Sequence, residues 1–102
     1  MDDLDRISRP RYDSNYTLLD LAILLRKDLL DACRRTDVMR LAKLGMTFDT
    51  LHDSALRDGS THRITEVWER LREAAREGAV GGKWDDWLPS EAEITERFTQ
   101  SK

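Results

Sequence analysis

What this chain of 102 residues lacks narrows the field first. Cys33 is its only cysteine, so the chain can form no internal disulfide and no cysteine-based zinc site. A lone thiol fits a reducing cytoplasm, the expected location. The first residues, MDDLDRISR, do not pair a basic segment with an apolar one, so no signal peptide is expected. Long apolar runs are missing too. The longest, LLDLAILL at 18–25, contains Asp20 and is far too short to span a bilayer.

An excess of positive charge is also absent. With 17 basic and 20 acidic residues the formal net charge is −3, and the two signs are interleaved throughout. Domains that coat nucleic acid usually carry a basic face, because neutralising phosphates supplies most non-specific affinity. Here the local excesses are small: Arg6, Arg9 and Arg11 near the N-terminus, offset by Asp2, Asp3, Asp5 and Asp13, and the pair Arg34–Arg35.

The ingredients of catalysis are sparse. His52 and His62 are the only histidines. His52–Asp53 resembles the histidine–aspartate pair of metal-dependent phosphohydrolases, but such a centre needs further ligands and only His62 remains. The pairs Asp2–Asp3 and Asp85–Asp86 are adjacent, so on a helix they diverge by about 100° and do not form an acid/base couple. GAVGG at 78–82 has neither the lysine nor the strand of a phosphate loop. The expectation is a protein that is not an enzyme and uses no metal or cofactor.

What is present is helical periodicity. Residues 1–15 carry charge, Pro10 and no apolar period, and read as a flexible arm preceding a single helical domain over 16–102. A helix should begin at Thr17, with Asp20 in its first turn. Leu18, Leu21, Ala22, Leu25, Leu29, Ala32 and Cys33 form its stripe. Leu19, Ile23 and Leu30 lie off that stripe, so this helix has a second apolar side, the candidate for self-association into a homodimer.

Thr36 or Asp37 can cap a short second helix, with Val38, Leu41, Ala42 and Leu44 inside and Gly45 at its end. Thr47 would then cap a third, with Phe48, Leu51, Ala55 and Leu56 inside, closed by Gly59. A fourth opens at Ser60 or Thr61 and carries the stripe Ile64, Val67, Trp68, Leu71, Ala74 and Ala75. Its outer face should be laced by Glu66–Arg70, Glu69–Arg72 and Glu73–Arg76. GAVGG makes a joint, KWDDWLP follows, and Ser90 with Glu93 is a capping-box signature for a last short helix. No strand pattern or repeat is found. The fold class is all-α, a small bundle of four to five helices that dimerisation could complete. An apolar content of 39% is modest for a chain this size and leaves room for such a partner.

Two functional readings follow. The first is a protein-binding module, an adaptor or an inhibitor of a larger macromolecular machine, acting by surface occupation. Trp84, Asp85, Asp86 and Trp87 are its candidate partner-binding residues. Tryptophan buries a large area at little entropic cost and is enriched among energetic hot spots. The alternative reading is a helix-turn-helix-like DNA-binding regulator using residues 38–56. Residues 45–56, GMTFDTLHDSAL, resemble the turn and second helix of helix-turn-helix proteins, with Gly45, Met46, Thr47, Leu51 and Ala55 on the pattern. The resemblance departs upstream, where Leu41 replaces the usual alanine and Ala42 is one position off. It implies a reader built on Thr47, Phe48 and His52, helped by Arg6, Arg9 and Arg11 in a minor groove. Asp49 and Asp53 on that helix would meet phosphates at a repulsive cost.

Overall fold

The computed structural model describes residues 17–99. The arm inferred for 1–15 lies outside them. Helix α1 spans Leu18–Arg35, α2 Val38–Arg57, α3 His62–Ala79 and α4 Glu91–Thr99, with one 3-10 turn at Trp84–Asp86. No strand occurs among the described residues.

The start of α1 is a complete capping box. Thr17 Oγ1 accepts from the Asp20 N–H at 3.1 Å, and the Asp20 carboxylate accepts from the Thr17 N–H at 3.2 Å. At the other end Thr36 takes a left-handed conformation (φ 53°), and its N–H bonds back to Ala32 and Cys33 carbonyls. A β-branched residue is strained there. The tight reversal lets Asp37 cap α2 at once, by accepting from the Arg40 N–H at 3.2 Å.

The largest departure from expectation is α2. The two short helices inferred for 38–44 and 47–58 are a single helix of 20 residues that passes through Gly45 and Thr47. Glycine inside a helix costs about 1 kcal/mol relative to alanine, which one residue in a long, well-packed helix absorbs. Thr47 caps nothing. Its hydroxyl donates to the Lys43 carbonyl at 3.1 Å, and Thr50 does the same to Met46. Leu41, Leu44, Phe48, Leu51 and Ala55 step by three and four without interruption, and that unbroken stripe is the face α2 buries. Ala42 and Leu56, expected inside, point outward, and Leu18 at the start of α1 is also exposed.

Helices α2 and α3 pack as an antiparallel hairpin. A Cβ on Gly45 would lie 3.9 Å from that of Ala75, Asp49 bonds to Arg72, and Leu41 lies against Gly78. Gly59, in the left-handed region (φ 77°), makes the reversal between them, with the Ser60 N–H bonded to the Ala55 carbonyl. The α3 stripe is as the sequence indicates, with Val67, Trp68, Leu71, Ala74 and Ala75 buried. Helix α1 lies against α2, α3 and α4, contributing Ala22, Leu29, Ala32 and Cys33 to the same core. Helix α4 adds Ile94 and Phe98. The Phe98 ring meets Trp68 edge-on, centroids 5.7 Å apart. Its Ser90 cap accepts from the Glu93 N–H at 3.0 Å, while the Glu93 carboxylate is drawn to Arg70 and Arg97.

Three helices converge most closely at Gly78. A Cβ there would fall 2.8 Å from Cys33 Sγ on α1 and 3.4 Å from a Leu41 methyl on α2. Gly78→Val should therefore lower stability by about 2 kcal/mol or more in urea unfolding. Because the clash is with the thiol, part of that loss should be recovered in the Gly78→Val/Cys33→Ala chain.

Candidate interaction surface

The KWDDWLP segment crosses one side of the bundle between α3 and α4, and it is held by its backbone. Arg70 Nε of α3 donates to the Trp87 carbonyl at 3.1 Å, and Arg26 Nε of α1 donates to the Pro89 carbonyl at 2.6 Å. Within the segment, the N–H groups of Trp87 and Leu88 both bond to the Trp84 carbonyl. The two tryptophans part company here. Trp84 is half-buried against the core, as is Leu88, and Pro89 is fully buried. Trp87 keeps 41% of its surface exposed. The two differ in burial although the Trp87 N–H still closes the turn on the Trp84 carbonyl at 3.0 Å.

Trp87 borders a shallow cleft of about 480 Å³ lined by Glu66, Glu69, Arg70 and Asp86. Three of these residues come from α3 at positions 66, 69 and 70, which share a helical face. Asp85 and Asp86 are both exposed.

Charges on the bundle are largely matched across helix pairs. Arg40 of α2 bridges Asp28 and Asp31 of α1. Arg72 of α3 reaches Asp49 of α2 at 3.1 Å, and Arg97 of α4 reaches Glu66 of α3. The three pairs anticipated along α3 are mostly rerouted. Glu73–Arg76 forms at 2.9 Å, but Glu66 turns to Arg97 and Arg70 to Glu93. Partners on a neighbouring helix were invisible to a count along one helix. Arg72 is held protonated above its ordinary range, chiefly by the Asp49 hydrogen bond, against the opposing effect of burial.

The remaining candidate residues are distributed as follows. Leu19 and Ile23 pack against the core and border a groove of about 540 Å³ closed on its far side by Glu91 and Thr95 of α4. The second apolar side of α1 thus faces a groove shared with the chain's own last helix. Leu30 is half-buried. Phe48, named as an outward reader, is completely buried, and Asp49 beside it is engaged by Arg72. Thr47 is exposed and His52 half-buried, on a helix that contains no turn. Arg6, Arg9 and Arg11 lie outside the described residues. His62 sits exposed at the first position of α3, and among the described residues no cluster of three His, Cys, Asp or Glu side chains could hold a metal. No described helix is long and apolar enough to cross a membrane.

Among the described residues, the group whose ionisation is most strongly suppressed lies outside the cleft. Burial pushes the Cys33 thiol up to about 11, and its Sγ points at the Ala74 carbonyl. A neutral buried thiol is a packing residue and a poor nucleophile.

No protein-family model, curated protein or solved structure matches this chain.

Cys33 gives a pH prediction. Its folded pKa lies above the ordinary value of 9, so its contribution to stability is in place below pH 9 and is lost as pH rises through 11. In urea melts the wild-type chain should lose stability relative to Cys33→Ala across that window, and the native thiol should resist alkylation at neutral pH.

Proposed function

We propose that this protein is a non-enzymatic binding module that engages another protein through the face carrying Trp87, Asp85 and Asp86. It acts as an adaptor, or as an inhibitor of a larger macromolecular machine, by occupying a surface. The observation that carries this reading is the presentation of Trp87. Its backbone is fixed by Arg70, yet a large part of its ring stays in water beside a cleft. A chain needing that ring for its own stability would bury it, as it buries Trp68. A rigidly held, exposed tryptophan loses little conformational freedom when a partner covers it. Trp84 serves this reading from beneath, by seating the segment on the core. A reducing cytoplasm suits a single buried thiol and is the proposed location.

The unbroken α2 supports the protein-binding reading over the DNA-binding one, since a recognition helix needs a turn to set it apart from its supporting helix.

The test separates the two tryptophans. Trp84→Ala should cost about 2 kcal/mol or more of folding stability, by loss of packing. Trp87→Ala should change stability by no more than about 0.5 kcal/mol, the usual range for an exposed side chain. In affinity capture with nuclease-treated lysate, Trp87→Ala should lose a discrete protein that wild type retains, by roughly 30-fold in affinity if Trp87 is a hot spot. A captured protein indifferent to Trp87, or retention that vanishes with nuclease, would count against this reading.

A further inference from the structure

We infer that the Trp87 cleft receives a cationic side chain, an arginine or lysine on a basic segment of the partner protein. This rests on the binding-module reading and adds the chemistry of what enters. Trp87 keeps 41% of its surface exposed beside the cleft, and tryptophan is the strongest of the ring types in attracting a cation. The walls supply carboxylates that the fold itself does not use. Of the cleft's lining, Glu66 is taken by Arg97, while Arg70 is spent on Glu93 and on the Trp87 carbonyl. The side chains of Glu69 and Asp86 make no ion pair or hydrogen bond among the described residues, and Glu69 only adds to the field at Arg72. Two exposed, uncommitted carboxylates thus line the same cleft as an exposed indole.

Charge complementarity decides between occupants. With Glu66 paired to Arg97 and Arg70 to Glu93, the charges left over around Trp87 are Asp85, Asp86 and Glu69, against Lys83 at the start of the segment. A nucleic acid or an acidic peptide would be repelled. An arginine can stack its plane on the indole while its N–H groups reach the two carboxylates. A second copy of this acidic chain would bring like charge to like, unless it offered one of its own arginines.

The experiment is an NMR titration of the full-length protein with a tetra-arginine peptide, following the indole N–H of Trp87, assigned by its disappearance in Trp87→Phe. Tetra-glutamate and tetra-serine peptides serve as controls. The expected result is a saturable shift with tetra-arginine only, weakened by added salt. Affinity should be roughly tenfold weaker in Glu69→Gln/Asp86→Asn, and unchanged in Asp53→Asn/Asp58→Asn, on α2 and at its C-terminal cap, outside the cleft. The same indole and backbone signals report whether each variant remains folded. Absence of a saturable shift overturns the inference, as does equal affinity for the Glu69→Gln/Asp86→Asn chain. A protein partner that requires Trp87 but binds that chain as tightly as wild type overturns the cationic occupant and leaves the interaction surface standing. A partner unaffected by Trp87→Ala overturns both.

Discussion

The structure depends on one packing contact above all, the unbroken apolar stripe of α2 laid along α3. Leu41, Leu44, Phe48, Leu51 and Ala55 advance by three and four, the step that keeps side chains on one helical face. Opposite them run Val67, Trp68, Leu71, Ala74 and Ala75. Antiparallel register brings Leu41 to Gly78, Gly45 to Ala75 and Asp49 to Arg72. On that hairpin α1 finds a surface for Ala22, Leu29, Ala32 and Cys33, and α4 finds Trp68 for Phe98. A break at Gly45 would turn Phe48 away from the core and leave α1 without one wall.

Arginines then fix what the apolar stripes leave loose. Each spans two elements: Arg40 joins α2 to α1, Arg72 joins α3 to α2, Arg97 joins α4 to α3. Exposed ion pairs of this kind are worth little singly, but they decide orientation. Arg26 and Arg70 go further and grip carbonyls of the irregular segment at 87–89. Neutralising backbone oxygens there is what permits a non-helical stretch to lie on the bundle. The same clamp holds Trp87 at the surface, so the candidate binding face is a consequence of how the last two helices are joined.

How much of this was legible depended on whether the deciding contact was local. The Thr17 cap, the α3 stripe and the helical start at Ser90 depend on residues within one or two turns, and they stand where the sequence puts them. Gly45 and Thr47 misled because each has a common local meaning, turn and cap, that a continuous buried stripe overrode. That stripe was countable in the sequence across the glycine. The rerouting of Glu66 and Arg70 to α4, the groove that Ile23 shares with α4, and the different burial of Trp84 and Trp87 were not countable. They arise from tertiary approach of elements distant in the chain, which no single helical wheel contains. Asp85, Asp86 and Trp87 were selected as part of a tryptophan-bearing segment after a glycine joint, and their exposure and the neighbouring Glu69 came only with the fold.

Gly45→Ala tests the central packing most directly, because the two readings of that residue demand opposite signs. Within a continuous helix, with only ordinary contact to Ala75 awaiting a new methyl, alanine should raise unfolding stability by about 0.5–1 kcal/mol in urea. A loss of stability of similar size would mean that Gly45 holds a turn that only glycine can make, and that α2 is not one helix.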